Sequence, residues 1–280
     1  MKFVAAGLAA CLLVAYCAGL DVFAAVGPEA VQIEPSLPKQ GQTLVLRESA
    51  ESIAGSVRFG KKTYRWFPDT AHGGLRALVP IPADLAPGDY PLVVGDSTQT
   101  LHVKSAAFPV QRIHLPPGKD NFISSPGEEA AVQAAKDTVT DKQFWTGHFV
   151  KPSAARTSSA FGLRRMVNGK LLPDYFHSGL DYAAGLGSPV VATARGRVII
   201  AEQKNWRLHG NMVAIDHGQG VVSFYIHLSK VLVKGGQVVD AGEMIGKVGA
   251  TGRASGPHLH FSLYVNGDAT SPSEWYTREI

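Results

Sequence analysis

The 280-residue chain is 45% hydrophobic, with 30 glycines, 17 prolines and a formal charge of +4 at neutral pH. That length and apolar content accommodate two ordinary domains with their own cores, and so much Gly and Pro implies many turns. The mild charge is spread along the chain, with no Lys/Arg cluster interleaved with aromatics, which argues against a nucleic-acid partner.

The chain begins Met1-Lys2, then runs apolar from Phe3 to Leu20 before small residues around Ala24-Ala25. This is the pattern of a secretory signal peptide over residues 1–24. If the run is retained instead, it is near the length that spans a bilayer, and membrane association follows. A lipid anchor at Cys11 fits less well, because Leu8-Ala9-Ala10 leaves almost no apolar core before it. Cys11 and Cys17 both lie here, so the mature chain has no disulfide, and a metal site must use His, Asp or Glu.

Residues 28–104 read as all-β. Gln42 to Arg47 carries apolar Leu44 and Leu46 in alternation, and Val57-Arg58-Phe59 and Tyr64-Arg65-Trp66 flank a Gly60-Lys61-Lys62 turn. Further alternation runs through Leu75 to Ile81, Tyr90 to Val94 and Leu101 to Val103. Short strands at this spacing suggest an immunoglobulin-like sandwich, and Pro87-Gly88-Asp89-Tyr90 resembles a tyrosine corner. Residues 105–148 read as a linker, extended and Pro-rich to residue 125. Ser125-Pro126-Gly127-Glu128 then has capping-box spacing, and Ala131, Val132, Ala135 and Val139 continue at helical spacing to about Lys142. From residue 149 onward, Gly-rich corners separate short apolar strands, which suits a folded-over antiparallel sheet or barrel.

The chemistry concentrates in this last region. After Pro257 the residues alternate: His258, His260, Ser262 and Tyr264 share one strand face, and Leu259, Phe261, Leu263 and Val265 the other, toward a core. Two imidazoles on one rigid strand can bind a single metal ion, or divide ligation and proton transfer between them. His177 and Asp181 are four apart, and Gly179, Gly185 and Gly187 favour a strand edge or loop over a helix there. In Ser223-Phe224-Tyr225-Ile226-His227-Leu228, the stripe Val222, Phe224, Ile226, Leu228 is a core face, with Ser223, Tyr225 and His227 opposite.

The set His-x-x-x-Asp, Tyr-x-His-Leu and Ser-Gly-Pro-His-Leu-His-Phe, in this order, resembles the lysostaphin/LytM-type zinc metallopeptidases. Ser159 to Arg164, Gly187 to Ala192, Gly196-Arg197-Val198 and Gly210 to Gly218 extend the resemblance over roughly residues 150–276. It implies a LytM-type antiparallel β-sheet peptidase domain over residues 149–280, so the chain reads as mainly β, with a linking helix between that domain and the immunoglobulin-like accessory domain. It implies His177, Asp181 and His260 as ligands of one Zn2+, and His227 and His258 as a catalytic pair. Two imidazoles and one carboxylate leave zinc an open position, where water is activated to attack a peptide carbonyl. No Glu neighbours a ligand, so histidine must handle the protons, with the base and oxyanion or acid roles undivided between His227 and His258. The implied function is an endopeptidase for peptidoglycan cross-links or stem peptides, exported to the periplasm or envelope of a bacterium. The alternative is a catalytically silent relative that binds cell wall or activates an amidase; such relatives lack ligands, whereas all five positions are filled here. His209 and His217, in Gly-flanked turns, and Asn211 read as structural, and Phe161, Tyr182 and Tyr225 as groove walls or packing.

Overall fold

The computed structural model describes residues 31–49, 55–114 and 123–280. The expected signal segment and both cysteines lie outside the described residues. Among the described residues, no helix is long and apolar enough to cross a membrane.

The first part of the chain forms two four-stranded sheets. One runs in the order Gln32–Glu34, Thr43–Glu48, Leu75–Pro80, Phe67–Pro68, and the other Lys62–Tyr64, Val57–Phe59, Gly88–Val94, Ser97–Val103. Leu44, Leu46, Val79, Phe59, Leu92 and Val103 meet between them in a common core. The hairpin at Gly60-Lys61 is tighter than its sequence suggests: Phe59 pairs with Lys62 and Val57 with Tyr64, so the second strand ends where it was expected to begin. Tyr90 Oη donates to the Ala86 carbonyl at 2.7 Å, tying the turn before its strand to the strand itself.

The sheet containing Thr43–Glu48 is covered on both faces. Val45 and Leu78 point away from the first core into another that includes Trp145, Phe149, Leu263 and Trp275. At this seam Arg76 is fully buried, donating from Nε and Nη2 to Gln219 Oε1 (2.9 and 2.6 Å) and from Nη1 to the Ile280 carbonyl (3.0 Å). Its guanidinium also lies 4.6 Å from the centre of the Trp145 ring, so each nitrogen of this buried cation has an acceptor and one face an aromatic ring. Glu274 Oε1 accepts the Thr43 N–H at 2.7 Å, and burial pushes this carboxyl up to about 7.

The linker is partly strand. Val110–Ile113 pairs in parallel with Arg164–Val167, which pairs antiparallel with Lys170–Phe176. Phe108 packs edge-on against Phe161 and Phe176, both at 6.0 Å. The expected helix runs over Glu128–Lys136 and stops short of Lys142. Ser125 does not cap it, because its Oγ accepts the Arg207 N–H; the Glu128 carboxylate instead accepts the Ser125 N–H at 2.7 Å. Beyond Lys136 the Thr140 hydroxyl donates to Asp216, drawing the chain away from the helical path.

A 10-stranded sheet makes up most of the rest. Its path runs Thr157–Ser159, Gly179–Tyr182, Leu259–Val265, Val221–Val231, Gly210–Gly218, Gly196–Trp206, Val238–Val239. Strand Leu259–Val265 is buried along its whole length. Leu259 and Phe261 enter one core, as expected from the alternation, but the opposite face is covered too. There Tyr264 packs 5.3 Å from Phe224, under Val132 and Ala135 of the helix.

Candidate functional site

Three adjacent strands bring the motif residues together. Asp181 on Gly179–Tyr182 lies directly opposite His260 on Leu259–Val265, and His260 lies opposite Ile226 on Val221–Val231. Close approach of the first two strands depends on Gly179, where a Cβ would stand 2.1 Å from the Phe261 carbonyl oxygen. His177 lies two residues before the start of Gly179–Tyr182 and places its Nε2 3.1 Å from Asp181 Oδ1 and 3.0 Å from His260 Nδ1. His260 Nδ1 is 2.8 Å from the same carboxylate oxygen, closing a triangle.

The protons in this triangle are few. His177 Nδ1–H donates to the Ala160 carbonyl at 2.8 Å, so neutral His177 has no proton on Nε2. His260 carries one proton, either on Nδ1 or on Nε2, which is 2.7 Å from Ser262 Oγ. Burial raises the Asp181 pKa, but the contacts from His177 and His260 outweigh it and hold the carboxyl far below its usual range. With both rings neutral and the carboxyl ionised, three buried acceptors share at most one proton, an arrangement that calls for a cation. Ligand atoms about 2.0–2.1 Å from a tetrahedral zinc lie about 3.3 Å apart, close to the edges of this triangle. The donor set therefore fits a single zinc ion.

Two more imidazoles border it. His258 donates from Nδ1 to the Gly256 carbonyl (2.9 Å), which holds the ring with its Nε2 3.9 Å from Asp181 Oδ1. His227 donates from Nδ1 to the Thr251 carbonyl (2.8 Å), and its ring centre is 4.8 Å from that of His258. Burial lowers the His227 pKa to about 3, with His260 and His258 adding to the effect, so its Nε2 is a free lone pair at neutral pH.

His227 does not follow the expected strand pattern. It has φ 64°, left-handed for a non-glycine residue, where the register of its strand shifts. The alternation breaks there: Leu228 joins Tyr225 in one core, while Val222, Phe224 and Ile226 stay in the other. The irregularity turns His227 away from the Tyr225 side and toward His258.

Residues 175–272 match the sequence pattern of peptidase family M23. These residues form a peptidase M23 domain. The chain is 44% identical over 114 residues to the peptidoglycan DD-endopeptidase ShyA of Vibrio cholerae, covering 40% of this chain and 25% of that protein. Over 117 residues it is 43% identical to the DD-carboxypeptidase/endopeptidase Mpg of Neisseria meningitidis, covering 42% of this chain and 26% of that protein. The chain thus spans about a quarter of the length of these relatives. A crystal structure of a putative peptidase M23 from Pseudomonas aeruginosa superposes with a TM-score of 0.64 at 28% identity, covering 87% of this chain and 95% of that one.

Around this M23 site, several residues take places the sequence did not reveal. Glu128 is fully buried; its Oε1 accepts the N–H groups of Leu208 (3.0 Å) and His209 (2.8 Å). The His209 carbonyl in turn accepts the His227 N–H at 2.9 Å. Asn211 braces the same corner, donating from Nδ2 to the Leu228 carbonyl at 2.9 Å. His217 is structural but sits in strand Gly210–Gly218 instead of a turn, with Nδ1–H on the Arg195 carbonyl and Nε2 2.7 Å from Ser223 Oγ. Phe161, Tyr182 and Tyr225 pack in the core and wall no groove. Glu128 could be read only as a helix-start residue, since its partners lie 80 and 81 positions away.

Proposed function

We propose that this protein is a zinc-dependent endopeptidase that hydrolyses peptide bonds in peptidoglycan cross-links or stem peptides. The observation that carries the reading is the triangle of His177 Nε2, Asp181 Oδ1 and His260 Nδ1, with edges of 2.8–3.1 Å, flanked by the imidazoles of His227 and His258. His177, Asp181 and His260 hold the ion. When bound, zinc supplies Lewis acidity, polarising a peptide carbonyl and making water acidic enough to lose a proton near neutral pH.

The remaining chemistry belongs to the chain. Ala160 and Ser262 hold the rings of His177 and His260 in orientation from behind. His227 and His258 handle the protons: one is taken from the attacking water as its oxygen bonds to the carbonyl carbon. One is returned to the amine nitrogen as the C–N bond breaks. Carbonyl acceptors at Thr251 and Gly256 keep each Nδ1 protonated and each Nε2 available for this exchange. The cell-wall substrate and an envelope location follow from relatives whose names specify peptidoglycan DD-endopeptidase activity. The apolar segment near the N-terminus, which reads as a signal peptide, supports the envelope location.

The test is mass spectrometry of muropeptides after digestion of purified sacculi with zinc-loaded protein. New peptide termini with intact glycan are expected, and chelation abolishes them. Cleavage of glycan, or no cleavage by zinc-loaded protein, would overturn the assignment.

A further inference from the structure

Next to the metal triangle, two arginines from different parts of the chain converge on one phenol. Tyr175, on strand Lys170–Phe176, lies two residues before His177, about 7 Å along an extended chain. Arg165, on the neighbouring strand Arg164–Val167, sets its guanidinium 5.0 Å from the centre of the Tyr175 ring. Arg253 hydrogen-bonds the Tyr175 side chain. Arg253 belongs to the loop that supplies both carbonyls orienting the proton-carrying histidines, Thr251 on one side of it and Gly256 on the other.

The arrangement is electrostatically unbalanced. All three side chains belong to half-buried residues, and Arg165 Nε is buried with no hydrogen-bond partner among the described residues. Burial and the nearby Arg165 charge both lower the pKa of Arg253, while Tyr175 feels the Asp181 carboxylate. Like charges held together in a half-dry site gain most from an anion, and the guanidinium fork matches a carboxylate in shape.

We propose that Arg165 and Arg253, joined through Tyr175, form a subsite for a substrate carboxylate and so direct this peptidase to peptides with a free carboxylate within about two residues of the scissile bond. The inference rests on the endopeptidase reading and adds a substrate preference to it. The carboxylate can be a peptide's C-terminus or an acidic side chain, since the same forked contact serves both.

The experiment uses the full chain loaded with zinc and two series of otherwise identical peptides. One series exchanges carboxylate for carboxamide at the C-terminus, the other at an acidic side chain. Wild type is expected to favour the acid in at least one series by about tenfold or more in kcat/KM, chiefly through KM, as charged hydrogen bonds allow. The responding series identifies the source. Arg165→Gln and Arg253→Gln should each reduce the preference and together erase it, with zinc content and unfolding midpoint unchanged. Equal kcat/KM for acid and amide in both series overturns the subsite, as does a preference that survives both substitutions. If zinc-loaded protein cuts neither peptides nor sacculi, the endopeptidase reading fails separately. Calorimetric titration with the same peptides then decides the subsite: tighter acid binding that is lost in the variants upholds it, and equal binding overturns it.

Discussion

Replacing Glu128 by alanine tests how a helix outside the metal site supports its chemistry. The carboxylate accepts three backbone N–H groups, those of Ser125, Leu208 and His209, and lies 2.7 Å from His209 Nδ1. Burial raises its pKa, but the hydrogen bonds from Ser125 and His209 outweigh this and keep it ionised at neutral pH. Each N–H left without an acceptor costs about 1–3 kcal/mol when fully dry. The turn at 207–209 is only half-buried, so water recovers part of this, and a loss of about 2–4 kcal/mol is expected from Glu128→Ala. Urea unfolding of the chain measures it. The second readout is kinetic: Glu128 reaches the site only through the His209 carbonyl and the strained backbone of His227. The rate kcat should therefore fall while zinc content stays constant. Stability within about 0.5 kcal/mol of wild type together with an unchanged kcat would refute the reasoning.

Other substitutions probe separate parts of the structure. Ser262→Ala removes the partner of His260 Nε2 and should weaken zinc binding about 10–100-fold in competition with a chelating dye; unchanged affinity would count against its orienting role. Gly179→Ala drives a methyl into the Phe261 carbonyl and should lower the thermal midpoint by several degrees and reduce bound zinc, whereas wild-type stability would show that the strands can separate freely. Burial lowers the His217 pKa from 6.5 to about 4, so the unfolded chain binds more protons between these values and stability rises with pH through that window. The change amounts to about 3 kcal/mol between pH 4 and 6.5, and His217→Gln should remove it from the pH dependence of urea unfolding. Glu274, with its pKa raised to about 7, gives the opposite slope between its unfolded value and 7. The comparison is therefore the difference between variant and wild type, and equal slopes would contradict the assignment.

The grouping of His177, Asp181, His227, His258 and His260 was legible through the resemblance of their motifs to the LytM-type peptidases, whereas alternation alone showed that His258 and His260 share a strand face. Register then places Asp181 opposite His260. Alternation tells which residues share a face, but not whether a further element covers it. The helix that buries Tyr264 was visible as a helix, yet its docking face could be known only once Val132 and Ala135 met Phe224. The left-handed backbone of His227 left no trace, since no glycine marks it and the surrounding apolar pattern reads as a regular strand. Glu128 illustrates the same limit: its capping spacing is local, whereas the partners that give it weight are brought to it by folding. Arg165, Tyr175 and Arg253 belong to no shared motif and meet only because a hairpin and a loop border the same site.

The central claim is that one set of residues holds zinc while a second set moves protons. Metal analysis of His258→Ala, run beside a muropeptide digestion, tests it most directly. The account predicts about one zinc per chain, as in wild type, with peptide cleavage reduced by at least about a hundredfold, the usual scale for a lost acid or base. Loss of zinc along with activity, or full cleavage by the zinc-loaded variant, would contradict it.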